Sequence, residues 1–140
     1  MVSSLTPLQT HPPKRTRVAR PSVIVECAQP PNVVAAFLSL LHRRRREAEE
    51  RKGHQWVLRD LHEEAIKAFV EDFQAGIQHP ILAISSMDQV DRKTFRINAT
   101  LRASVVQIAR ARRATHGEFY YNAFLHYLMS QGVLADTGLR

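Results

Sequence analysis

Hydrophobic and polar positions alternate along this chain with two periods, and the changes of period mark its elements. Thr94, Arg96 and Asn98 alternate with Phe95, Ile97 and Ala99. A period of two predicts a strand over 93–99 with one polar and one apolar face. Leu101, Val105, Ile108, Ala109 and Arg112 then recur at helical spacing, which predicts a helix over 101–113. Thr115-His116-Gly117 interrupts the pattern, and Phe119, Ala123, Phe124, Tyr127 and Leu128 restart it as a helix over 118–131.

The first half repeats this order. Val23-Ile24-Val25 is a β-branched run behind Pro21, so a strand is expected over 22–28. Val33, Val34, Phe37, Leu40 and Leu41 follow Pro30-Pro31 as a helical stripe over 31–50. Arg43 to Arg46 precede Glu47, Glu49 and Glu50 at spacings that support an exposed continuation of that helix, and Gly53 is its expected stop. Leu58, Leu61, Ala65, Ala68, Phe69 and Phe73 line a third helix over 57–75 that ends before Gly76. Trp56 is expected to pack against this stripe.

The chain therefore divides into a disordered basic arm (1–20), a first strand–helix–helix unit (21–76), a connection (77–91), a second unit (92–134) and a tail (135–140). Within the connection, Ile81, Leu82 and Ile84 are apolar enough for part of it to pack down. The strands are offset by 72 residues (Val23 to Phe95) and the second helices by 58 (Ala65 to Ala123), so the first copy is longer by 14. The repeat lies in the pattern and not in residue identity.

A short two-faced strand followed by two helices, as in 93–129, resembles the ribbon-helix-helix DNA-binding superfamily of the Arc and Met repressors. The resemblance implies a mainly α fold, with a two-stranded antiparallel ribbon over a four-helix core. One such unit cannot bury its strand alone, and most members of the family solve this as homodimers. Two units in one chain would form a tandem pseudodimer. That arrangement resembles the single-chain ribbon-helix-helix proteins of bacterial T-DNA transfer. The family lays its ribbon in the major groove, which carries base contacts over to Thr94, Arg96 and Asn98, with Phe95 and Ile97 turned into the core. Arginine suits guanine, asparagine suits adenine, and threonine can touch a thymine methyl. By the same resemblance, phosphates would meet Arg92, Lys93, Arg20, Arg113 and the helix start at Thr115, His116 and Gly117. Thr115 and Glu118 also have the spacing of a capping box, which does not exclude a phosphate.

The first strand departs from this pattern. With Val23, Val25 and Cys27 inward, Ser22, Ile24 and Glu26 face outward; the opposite facing would bury a carboxylate. Base reading would then be asymmetric and suit a non-palindromic site. The equivalent helix start, within His54 to Asp60, carries an acid that disfavours anions.

The charge distribution agrees with a polyanionic partner. The net charge is +7 and the pI about 10.3. Lys14, Arg15, Arg17 and Arg20 have no acid among residues 1–20, and residues 92–118 set seven bases against Glu118 alone. Residues 47–91 are acidic, with ten carboxylates against four bases. The run Arg43 to Arg46 is either a phosphate clamp or a solvated helix end neutralised by the following glutamates, and at least one of Arg110, Arg112 and Arg113 is expected to lie over the core.

Other chemistry finds little support. Cys27 is the only cysteine, which excludes an internal disulfide and suits a core residue in a cytosolic protein. The seven histidines are scattered, no glycine-rich phosphate loop occurs, and no apolar run reaches membrane-span length. The expectation is a cytoplasmic, bacterial, nucleoid- or plasmid-associated protein. It is expected to be no enzyme, with no cofactor, no metal and no membrane partner, and to act as a monomeric pseudodimer or a homodimer. Its partner is expected to be double-stranded DNA, with other DNA-transfer or regulatory proteins beside it. The role expected is an accessory factor of plasmid or conjugative DNA transfer, with a transcriptional repressor or partition protein of the same fold as the alternative. From another class, the alternatives are a helical protein–protein interaction module using the acidic residues of helix 57–75, or a basic RNA-binding helical protein.

Overall fold

The computed structural model describes residues 21–51, 53–83 and 92–134. The basic arm, the tail 135–140 and the part of the connection from 84 to 91 lie outside the described residues. The element order is β1 (Ser22–Ala28), α1 (Pro31–Arg51), α2 (Leu58–Gln74), β2 (Arg92–Asn98), α3 (Ala99–Ala111) and α4 (His116–Ser130). The protein is mainly helical, with four described helices and one two-stranded antiparallel sheet. The strand–helix–helix order occurs once in each half.

β1 pairs with β2 along its whole length, with Ser22 opposite Asn98, Ile24 opposite Arg96, Val25 opposite Phe95 and Glu26 opposite Thr94. Alternation then sorts the side chains. Phe95, Ile97 and Cys27 are buried, Val23 and Val25 pack partly against them, and Ile24, Glu26, Thr94 and Arg96 are exposed. The facing that buries Val23, Val25 and Cys27 is the one adopted, because the other would place Glu26 in the core without a partner.

α4 lies at the centre. Phe119 to Leu125, Tyr127 and Leu128 are all buried, so it is apolar all round rather than on one stripe. Nothing charged interrupts Phe119 to Leu125, which lets α4 be enclosed by the ribbon and its neighbouring helices. α1 packs with Val33, Phe37, Leu40 and Leu41. α2 differs from the expected stripe: Ala68 is exposed, and His62, Ile66 and Val70 are buried in addition to Leu61, Ala65 and Phe69. The helix is turned so that His62 enters the aromatic cluster of Phe37, Phe95 and Phe124, with ring centroids 4.8–5.1 Å away. Its Nε2 meets no hydrogen-bond partner among the described residues.

Caps fix the boundaries. β2 ends at Asn98 instead of 99, because the Asn98 carboxamide oxygen accepts from the N–H groups of Thr100 (2.7 Å) and Leu101 (3.4 Å) and starts α3 at Ala99 instead of 101. α4 starts at His116 instead of 118, on a reciprocal box: Thr115 Oγ1 accepts from Glu118 N, and Glu118 Oε1 accepts from Thr115 N, each at 3.0 Å. α2 starts behind Val57, whose N–H donates to the Asp60 carboxylate at 2.9 Å. Gly76, at φ 91°, follows α2 in the left-handed region where a glycine is at ease. α3 closes with Arg113 at φ 58°, a position where a side chain costs about 1 kcal/mol.

The described part of the connection is packed down, not loose. Asn122, fully buried in α4, accepts from Leu82 N–H (3.1 Å) and donates to Leu82 O (3.0 Å). His79 stacks on Phe69 and meets Asp72 at 2.7 Å. Arg112 donates to the carbonyl of His79 and lies over the ring of Phe73, so it is the arginine of its group that covers the core.

Candidate functional site

The outward face of the ribbon is the candidate site. Eight residues alternate onto it in four cross-strand pairs: Ser22 with Asn98, Ile24 with Arg96, Glu26 with Thr94, and Ala28, which is buried, with Arg92. In the second pair, Arg96 is exposed and Ile24 is 59% exposed. Ser22 Oγ accepts from Arg96 Nη1 at 3.2 Å, which leans the guanidinium across the ribbon and leaves its other donors open.

The three residues expected to read bases are not equivalent. Thr94 and Arg96 stand exposed and uncommitted to the core. Asn98 is half-buried, and its oxygen caps α3. Pairing bidentately with adenine needs both that oxygen and the amide nitrogen, so Asn98 could do so only by leaving the cap. Its helix-starting role was legible only as an asparagine ahead of a helical run.

Five of the seven expected phosphate residues belong to one end of the ribbon. Lys93 and His116 are exposed there, and Thr115 and Gly117 form the start of α4. Arg92 belongs to the same end: its Nε is 3.4 Å from Glu26 Oε2, and a methyl group on Gly117 would sit 3.5 Å from Arg92 Nη2. Both members of the Arg92–Glu26 pair are half exposed, so the pair adds little stability but neutralises the one carboxylate on the ribbon face. Arg113 is exposed and serves as the left-handed residue that ends α3. Arg20 lies outside the described residues.

The other end of the ribbon has the reverse character. There α2 begins behind Val57, whose N–H donates to Asp60, and Asp60 also meets His54 Nε2 at 3.0 Å. Glu63 Oε2 accepts from Asn98 N–H at 2.6 Å and lies 3.3 Å from Arg59. Asp60 in the first turn of α2 and Glu63 in the second disfavour an anion at this helix start.

Sequence left two readings of Arg43 to Arg46, and the side chains adopt neither as a set. Arg43 donates to the carbonyl of Gln131 at 2.9 Å, and Arg45 donates to the carbonyl of Trp56 at 2.9 Å. Arg44 meets Glu64 at 3.1 Å, donates to Tyr127 Oη and Gln131 Oε1 at 3.0 Å each, and lies 4.8 Å over the ring of Trp56. Tyr127 also donates to Glu64. Burial and the Glu64 carboxylate push the Tyr127 hydroxyl pKa well above the usual phenol range. Three of the four arginines thus fasten the long α1 to the rest of the fold.

Other candidates for chemistry are core groups. Cys27 is fully buried, and burial pushes its thiol up to about 12, so no thiolate is available as a nucleophile or ligand. Burial likewise holds His62 down at about 4 and pushes Tyr120 up to about 12. Among the described residues, no group of three His, Cys, Asp or Glu is placed to hold a metal ion, and no helix is long and apolar enough to cross a membrane.

No protein-family model, curated protein or solved structure matches this chain.

Proposed function

We propose that this chain is a tandem ribbon-helix-helix protein and binds double-stranded DNA sequence-specifically by laying its ribbon in the major groove. The observation that carries the reading is the outward ribbon face. No described helix covers it, and it presents Arg96 and Thr94 beside an exposed Ile24. A major groove admits a two-stranded ribbon. Arg96 supplies donors for guanine O6 and N7, Thr94 a hydroxyl and a methyl, and Ile24 an apolar surface for a thymine methyl. An isoleucine at the centre of a wet polar face gains nothing from water, whereas a thymine methyl gives it a partner. Lys93, His116 and the start of α4 take the backbone phosphates at one end. Pairing of β1 with β2 inside one chain supports a pseudodimer that needs no second copy to complete the ribbon.

The role proposed is an accessory factor of plasmid or conjugative DNA transfer; repression or partition would use the same contacts at a different genomic site. The protein acts by binding and carries out no catalysis.

Selection of bound duplexes from a random pool, at roughly physiological salt, tests the reading. Wild type is expected to enrich a defined, non-palindromic motif. Arg96→Ala is expected to lose about 1–3 kcal/mol of discrimination, and to lose it at one position of the motif. Thr94→Ala should relax a neighbouring position, and Lys93→Ala should weaken all sequences alike. No enrichment by wild type, or the same motif at the same strength from Arg96→Ala, would remove the ribbon as the reader.

A further inference from the structure

The acidic end of the ribbon opens into a groove of about 810 Å³ along α2 and the start of α3. Asp60, Glu63, Glu64 and Glu71 line it against a single ammonium, Lys67, and Val70 and Leu101 give it apolar surface. Arg59 and Arg44 reach Glu63 and Glu64 from outside the lining. Even with these two and Lys67 counted, the four acids exceed the bases by one. A paired carboxylate also keeps lone pairs for a second donor. Glu71 is the least committed: Lys67 is 4.0 Å away, and both side chains are more than half exposed.

Where the chain enters the fold decides what fits this groove. Pro21 is part of its lining, and the Pro21 carbonyl accepts from Ala99 N–H at 3.0 Å. The N-terminal segment therefore joins the fold at the groove itself. Residues 1–20 carry Lys14, Arg15, Arg17 and Arg20 and no acid.

We propose that this groove is the docking site of the chain's own basic N-terminal segment, with Lys14 to Arg20 lying along α2. The lengths agree: Lys14 to Arg20 in extended form reaches about 20 Å, and α2 from Asp60 to Gln74 is about 21 Å long. Guanidinium groups pair bidentately with carboxylates, and Glu71, far from either arginine of the fold that reaches the groove, is the acid best placed to receive one. Because the segment is tethered at the groove, its effective concentration is of millimolar order, so individually weak pairs can hold it. The docking goes beyond the DNA reading and stands without it. If the ribbon does bind DNA, the duplex and the groove compete for the same four cations.

The test is made on the full chain carrying a nitroxide at Thr10→Cys, four residues ahead of Lys14. Cys27 is fully buried with its thiol pushed up to about 12, so the label goes to the introduced cysteine. The expected result is selective loss of the amide signals of Lys67, Glu71 and Ser104. The signals should return in Glu71→Lys, and also on raising salt to about 1 M, where the Debye length falls to about 3 Å. Undiminished signals, or losses spread over α1 or the ribbon, overturn the proposal. So does loss seen only in isotope-labelled chains mixed with spin-labelled ones, which would make the occupant a second copy.

Discussion

α2 and α4 hold equivalent places in the two halves, each the second helix after its strand, and they have opposite chemistry. α4 is buried on nearly all sides, and its start, at Thr115 to Gly117, lies against Arg92. α2 is buried on one face only; the N–H of its N-cap donates to its own Asp60, as that of α4 does to Glu118, but Glu63 stands beside the α2 start as well. A symmetric pair of helices would hold a duplex at both ends of the ribbon. Here one helix makes the core and starts beside Arg92, while its counterpart stays half in water and gathers acids. The lesson is that a strand–helix–helix order recurring within one chain is free of the residue identity that a homodimer imposes, so its two halves can divide packing from charge.

The largest test of that division is packing. Phe124→Ala in α4 is expected to cost about 3–5 kcal/mol, because a fully enclosed ring leaves a cavity. Leu58→Ala on the half-buried stripe of α2 should cost about 1 kcal/mol. Urea unfolding of both variants measures the difference, and equal costs would sink the assignment of α4 as the central helix.

Next in size is the pH response of His62, which lies where α2 meets α4. Burial lowers its folded-state pKa from 6.5 to about 4, so below pH 6.5 the unfolded chain binds a proton that the folded chain refuses. The contribution is fully present above pH 6.5 and is lost as pH falls from 6.5 to about 4, by roughly 3 kcal/mol in all. His62→Phe keeps an aromatic ring without the titrating nitrogen and should flatten this part of the stability–pH curve. A variant with the wild-type slope would mean that the acid sensitivity lies elsewhere.

Arg44 ties the two helices together through Glu64 of α2 and Tyr127 of α4. Arg44→Met should destabilise by about 2 kcal/mol, since Glu64 and Tyr127 lose a charged partner, while DNA affinity stays within a factor of about two. A phosphate clamp gives the reverse result: unchanged stability, weaker binding and a smaller salt slope. Titrating a selected duplex at two salt concentrations separates the two.

The smallest expected effect concerns the two helix starts. Asp60→Asn removes a carboxylate beside the α2 start and should strengthen duplex binding by about 0.3–1 kcal/mol. Glu118→Gln at the α4 start, where an anion is already tolerated, should change it less. If neither substitution alters affinity, the contrast between the two ends has no bearing on DNA.

Residue pattern alone was enough for the element order. Alternation over Thr94 to Asn98 and helical spacing from Phe119 to Leu128 are local properties, set by which positions must leave water. They placed the strands and helices within one or two residues of the structure; α3 also ends at Ala111 instead of 113, and the misplaced starts of α3 and α4 are caps. Asn98 and Thr115 each start a helix earlier than the apolar stripes do, because capping satisfies N–H groups before any apolar residue is needed. The inward facing of Val23, Val25 and Cys27 was legible for the same local reason, the cost of burying Glu26.

Tertiary structure decided what the long polar side chains do. Arg43 to Arg46 look alike in sequence, yet Arg44 is fixed by Glu64, Tyr127 and Gln131 and Arg43 by the carbonyl of Gln131, partners up to 88 residues away. The burial of His62 and Asn122 was equally beyond local pattern, since a polar residue enters a core only where distant groups surround or satisfy it. The acidic groove arises the same way, where Pro21 and Leu101 are brought beside α2. Periodicity records which face is buried, and it holds no information about which distant donor meets which acceptor; the packing of the chain supplies that.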